Sequence, residues 1–203
     1  MTEPEDQHAK HNARMKKVQA ARAKIQARRT IERGLLIVHT GNGKGKSSSA
    51  FGMAIRSLGW GMKVAIVQYV KGSWETGEKN FFEANPDLLT WEVMGDGFTW
   101  DTQDRAQDIA AAQAAWQRSK ELIMDPEYDF VILDELNIVL RDDTLDINEV
   151  TEFLAQRPME KHICLTGRNA KSELIEMADL VTEFEEVKHP FKAGFNAQKG
   201  VEY

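Results

Sequence analysis

Thr40-Gly41-Asn42-Gly43-Lys44-Gly45-Lys46-Ser47 is a glycine-rich loop that closes on Gly-Lys-Ser. The apolar run Leu35-Leu36-Ile37-Val38 leads into it, and a helix-like segment over about 46–58 follows it. Strand, loop and helix in that order make a phosphate site. Glycines let successive backbone N–H groups converge on phosphate oxygens, and the helix N-terminus adds partial positive charge. In this arrangement Lys46 reaches the phosphates and the Ser47 hydroxyl faces a Mg²⁺ ion. The loop therefore reads as a nucleoside triphosphate site. It does not say which bond of the nucleotide breaks.

Outward from the loop, the pattern is α/β. Strands are expected at 35–39, 63–70, 88–94, 128–134, 162–166 and 179–184, and helices at about 46–58, 104–124, 147–156 and 171–178. Runs such as Val64-Ala65-Ile66-Val67 and Phe130-Val131-Ile132-Leu133 are wholly apolar, as strands buried on both faces are. Alternating with helices, they imply a mostly parallel sheet flanked by helices, of the P-loop NTPase-like class.

The charge divides the chain in two. Residues 1–33 carry nine Lys/Arg and four Asp/Glu, whereas residues 34–203 carry 17 and 28. A basic N-terminal arm, 1–33, is thus expected to precede an acidic domain, 34–203. Residues 10–33 suit a helix with a weak apolar stripe of Met15, Val18, Ala21 and Ile25, ended by Gly34. A loosely solvated arm fits the same composition. The acidic body argues against nucleic acid as a partner. Cys164 is the sole cysteine and belongs to an apolar run, so no intrachain disulfide forms and a reducing, cytoplasmic setting fits. No apolar run approaches the roughly 18 residues of a membrane span.

In an open parallel sheet, ligands bind beyond the carboxyl ends of the strands. One such end is Asp134-Glu135, after four apolar residues. A carboxylate there holds Mg²⁺, serves as a base toward water, or simply starts a helix. Another is Thr166-Gly167-Arg168, where the Arg either forks onto phosphate or lies on the surface. A third is Lys71-Gly72-Ser73-Trp74-Glu75-Thr76-Gly77-Glu78, after 63–70, a loop shaped by two glycines around a Trp. Separately, Phe98 and Trp100 in Gly97-Phe98-Thr99-Trp100-Asp101 would share one face of a strand. They either cover the core or offer a flat platform to a large ring. His189 stands alone and reads as structural or catalytic.

Together these segments resemble the P-loop type of ATP:corrinoid adenosyltransferases of the bacterial cobalamin pathway. The likeness runs in order over about 31–203: 39–46, Val67 to Glu78, Gly97-Phe98-Thr99-Trp100-Asp101-Thr102-Gln103, Leu133-Asp134-Glu135-Leu136, Thr166-Gly167-Arg168, and Val187 to Tyr203. Ser47-Ser48 stand where the family usually has Thr-Thr, and both hydroxyls survive. The resemblance implies transfer of the 5′-deoxyadenosyl group of ATP to the Co(I) of a corrinoid, with triphosphate leaving. It implies catalytic roles for Lys46, Phe98 and Trp100, and nucleotide contacts from Thr40, Gly41, Asn42, Gly43, Lys44, Gly45, Lys46, Ser47, Ser48 and Arg168. Mg²⁺ would be held by Ser47 and Glu135. A reduced flavoprotein would supply electrons, and a homodimer would exchange its N-terminal arms. The alternative is a kinase or ATPase acting on the γ-phosphate. A nucleotide-dependent switch whose basic arm grips nucleic acid or an acidic partner is a third reading.

Overall fold

A computed structural model describes residues 4–70, 76–83, 86, 87, 89–94 and 105–203. The chain divides into two compact units, Met1–Glu32 and Arg33–Tyr203. The first is a single helix, α1 (Pro4–Gln26). It starts earlier than its Ala/Lys/Arg pattern suggests, because proline is tolerated in a first helical turn. It also stops short of Gly34. Arg28 and Arg29 bond only three residues back, to Ile25 and Gln26, before the β-branched Thr30 and Ile31.

The second unit is a six-stranded, all-parallel sheet in the order β3-β2-β4-β5-β1-β6. Its strands are β1 (Leu36–Thr40), β2 (Val64–Gln68), β3 (Leu89–Val93), β4 (Phe130–Asp134), β5 (His162–Thr166) and β6 (Leu180–Glu183). All six strands and four of the helices fall where the sequence pattern puts them: α2 (Lys46–Gly59), α4 (Arg105–Met124), α6 (Ile147–Ala155) and α7 (Ser172–Met177). Two further helices, α3 (Gly77–Glu83) and α5 (Leu136–Arg141), have no signature in the pattern. Leu136 to Leu140 are buried without exception, so α5 shows no helical alternation of apolar and polar residues.

Strand parity sorts the core into two layers. Leu36, Val38, Val131, Leu133, Ile163 and Leu165 meet residues of α4, α5, α6 and α7 on one face. Ile37, Ile66, Phe130, Ile132 and Cys164 meet Ala50, Phe51 and Ala54 of α2, and Phe82 of α3, on the other. Successive side chains of a strand point to opposite faces, so burial on both sides requires the unbroken apolar runs seen in the sequence. β5 lies between β1 and β4, so the ends of these three adjacent strands stand side by side at one rim of the sheet.

Candidate active site

The loop between β1 and α2 turns on Gly41 (φ 96°) and Gly45 (φ 107°), a backbone region that favours glycine. Two of its glycines also answer to space. A Cβ on Gly41 would lie 2.4 Å from the Phe184 carbonyl oxygen, and one on Gly43 2.5 Å from that of Glu185. The loop is therefore pressed against the chain leaving β6. Gly43 donates its N–H to Phe184 at 2.7 Å, and Phe184 donates to Thr40 at 2.9 Å. The His39 ring meets the Phe184 ring edge-on at 5.3 Å.

Above the loop opens a cavity of about 530 Å³. Gly43, Lys44, Gly45, Lys46, Ser47, Ser48, Asp134, Glu135 and Arg168 all line it. Thr40, Gly41 and Asn42 do not line it. Thr40 instead accepts an N–H from Ala170 at 3.0 Å, tying the loop to the turn that carries Arg168. Buried Lys46 gives its ammonium to the carbonyls of Gly41 (2.9 Å) and Gly43 (2.7 Å). Desolvation lowers its pKa, and the negative charge of Glu135 works against that shift.

At the β4 end, Asp134 and Glu135 have different jobs. Asp134 is buried and engaged: Oδ1 accepts the Thr166 hydroxyl at 2.7 Å, Oδ2 accepts the Gln68 amide at 3.4 Å, and Ser47 also hydrogen-bonds to it. Burial still raises its pKa. Glu135 sits at the start of α5 with φ 62°, left-handed backbone that a non-glycine residue rarely adopts. Its N–H donates to Thr166 Oγ1 at 3.0 Å, while its Oε2 is buried without a hydrogen-bond partner. Desolvation, then the charge of Asp134, pushes its carboxyl up to about 7. Lys46, Arg168 and Arg141 pull the other way. Left-handed backbone and a buried orphan acceptor thus meet on this one residue.

The β5 end is bolted to this pair. Gly167 (φ 125°) packs so closely that a Cβ would lie 2.9 Å from Asn137 Cβ and 3.0 Å from Glu135 Oε2. The Asn137 amide donates to Gly167 O at 3.0 Å and to His39 O at 3.4 Å, joining the ends of β5 and β1. Arg168 emerges from this turn, exposed and facing the cavity.

Thr76 and Glu78, from the loop after β2 that the sequence singles out, also line the cavity; sequence reasoning missed Gln68, Arg141, Val201 and Glu202, which line it too, and the buried Asn137. Gln68 and Asn137 were legible as lone polar residues in apolar runs. Glu202 has no local signal at all, because it arrives from the far end of the chain. His189 accepts the Phe191 N–H at 3.2 Å and caps a short 3₁₀ turn, Pro190–Ala193, which is a structural role. Phe98, Trp100, and the Lys71–Glu75 and Asp101–Gln103 stretches lie outside the described residues.

Residues 32–203 match the family model described as ATP:corrinoid adenosyltransferase BtuR/CobO/CobP. A corrinoid adenosyltransferase of Sinorhizobium sp. is 51% identical over 201 residues, covering 98% of this chain and 94% of that protein. One from Pseudomonas aeruginosa is 50% identical over 203 residues, covering 100% of both chains. The corrinoid adenosyltransferase CobA of Salmonella typhimurium is 45% identical over 172 residues, covering 85% of this chain and 87% of that one. A family model matched over 32–203 and relatives about 50% identical over nearly the whole chain agree, and this chain belongs to the ATP:corrinoid adenosyltransferase family.

Proposed function

We propose that this chain holds the triphosphate of ATP in its glycine-rich loop while the 5′-deoxyadenosyl group passes to the cobalt of a reduced corrinoid. Cobalt(I) supplies the electron pair that forms the Co–C5′ bond. The C5′–O bond breaks, its electrons leave on the triphosphate, and inorganic triphosphate departs. The metal of the substrate is the nucleophile, so no side chain has to act as base. The protein's task is to meet the negative charge that appears on the leaving oxygen.

The observation that carries this reading is the convergence of Lys46, Arg168 and the loop on one cavity. Lys46 trades its two loop carbonyls for phosphate oxygens, and Arg168 forks onto the same chain of phosphates. Thr40, Gly41 and Asn42 set the loop's foot; Gly43, Lys44, Gly45, Ser47 and Ser48 form its rim. The orphan Oε2 of Glu135 suits a cation, as does the Ser47 hydroxyl placed beside Asp134. Ser47 and Glu135 would hold Mg²⁺, which neutralises phosphate charge when bound. Asp134, already committed to Thr166, Gln68 and Ser47, orients that hydroxyl.

Phe98 and Trp100 are assigned to the corrinoid face, where bulky apolar rings exclude a lower axial ligand and ease reduction of Co(II) to Co(I). The same reading gives the enzyme a reduced flavoprotein as electron donor, a homodimer that exchanges its basic arms, and a cytoplasmic location. Among the described residues, no helix is long and apolar enough to cross a membrane.

Anaerobic incubation with MgATP and chemically reduced cob(I)alamin tests the proposal. A light-sensitive alkylcorrinoid together with inorganic triphosphate is the expected outcome. ADP or orthophosphate without a change in the corrinoid spectrum would point to γ-phosphoryl chemistry and overturn it. Phe98→Ala and Trp100→Ala should slow turnover at least tenfold more from Co(II) plus reductant than from Co(I). Equal losses in the two assays would make the rings structural.

A further inference from the structure

Both lysines of the phosphate loop are occupied by the protein itself, in different ways. Lys46 holds neutral carbonyls of its own loop. Lys44 forms an ion pair with the carboxylate of Glu202, 158 residues further along the chain. Glu202 and Val201 line the same cavity as the loop. Glu202 is fastened in a tight turn. Its N–H donates to Gln198 O at 2.8 Å, Val201 donates to the same oxygen at 3.1 Å, and Gly200 donates to Tyr203 O at 2.7 Å. The Glu202 side chain is 18% exposed and that of Lys44 47%.

The charges around the cavity put this pair in context. Lys44, Lys46, Arg141 and Arg168 face Glu78, Asp134, Glu135 and Glu202. Asp134 and Glu135 belong to the hydroxyl and cation arrangement at the β4 end. Glu202 is set directly on a loop ammonium. A carboxylate oxygen and a phosphate oxygen are equivalent acceptors for that ammonium. A triphosphate that draws on Lys44 therefore shares the ammonium with a carboxylate of its own sign, and the two anions compete for it.

We propose that Glu202 sets the affinity of the nucleotide site by competing with the triphosphate for Lys44. The inference rests on the reading that the loop holds the triphosphate. A site built to stabilise charge on the leaving group also binds the free product tightly. A tethered carboxylate that returns to Lys44 offsets part of that affinity and speeds departure. Since Lys44 is half exposed, the competition is modest and screened by salt.

Titration calorimetry with inorganic triphosphate and Mg²⁺ on the full chain tests this. Glu202→Gln should bind about two- to fivefold more tightly than the unmodified protein. The gain should shrink at high salt and vanish in a Lys44→Ala background, where there is nothing to compete for. Unchanged or weaker binding by Glu202→Gln overturns the proposal. The same gain in the Lys44→Ala background also overturns it, by reducing the effect to general repulsion. Lys46→Ala is the control for the underlying reading: if it binds triphosphate like the unmodified protein, the loop-held leaving group itself is wrong.

Discussion

Where β4 and β5 end, Thr166 bonds to both Asp134 and Glu135, Asn137 bonds to Gly167, and the backbone leaves no room for a methyl group at Gly167. Where residues 198–203 reach the same cavity, a partly exposed ion pair, Lys44–Glu202, meets the loop. The two walls differ in what a perturbation costs. A buried donor or acceptor stripped of its partner costs about 1–3 kcal/mol, whereas an exposed ion pair is worth about 0–1 kcal/mol. The first wall is fixed before substrate arrives, which suits groups that must meet developing charge without rearranging. The second is cheap to open, which suits a contact that the nucleotide must replace.

Lys46→Ala should show the largest effect, because buried Lys46 faces the fixed wall across the cavity and touches the phosphates in the proposed reaction. Turnover should fall by a factor of about 10³ or more, comparable to the loss of one key electrostatic donor at a transition state. The loss should be the same whether Co(I) or Co(II) is supplied, since the lysine acts on the leaving group and not on cobalt. Single-turnover rates in both assays would show it. A loss confined to the Co(II) assay would assign Lys46 to the corrinoid.

Thr166→Val comes next. Valine keeps the shape but removes the hydroxyl that donates to Asp134 and accepts from the Glu135 N–H. Two buried groups lose partners, so a stability loss of about 2–4 kcal/mol is expected from denaturant melts. The KM for ATP should rise with it, because the acid pair loses its fixed orientation. The corrinoid KM should stay unchanged. A variant as stable as the parent would show that this wall is not held from Thr166, and the contrast between the walls would weaken.

The sequence made the first wall largely readable and the second hardly at all. A glycine-rich loop, an apolar run ending in Asp134-Glu135 and Thr166-Gly167-Arg168 are local patterns at strand ends, and strand order brings them together. What separated Asp134 from Glu135 was not local. Asp134 is engaged because Thr166 and Gln68 come from the neighbouring strands, whereas Glu135, in left-handed backbone just before α5, keeps an oxygen without a partner. The helix α5 itself was hidden because burial on all sides erases periodicity. Glu202 meets Lys44 across 158 residues of chain, and no spacing rule reaches that far.

Glu135→Gln gives the smallest change in stability and tests whether the fixed wall is strained by its own charge. Burial and Asp134 raise the Glu135 pKa from 4.5 to about 7. The folded state therefore holds this proton more tightly than the unfolded chain does. Below the unfolded pKa both states are protonated and the penalty is absent. Between about 4.5 and 7 the unfolded chain ionises first, so stability falls as pH rises, and above about 7 the penalty is complete. A neutral Gln removes the penalty but places an amide where Oε2 already lacked a partner, so part of the gain is lost. With metal chelated, Glu135→Gln should be about 1–2 kcal/mol more stable than the unmodified chain at pH 8 and nearly equal to it at pH 4.5. Thermal melts at the two pH values measure the difference. An equal gain at both would mean that Glu135 carries no charge penalty, and that its buried oxygen is not waiting for a cation.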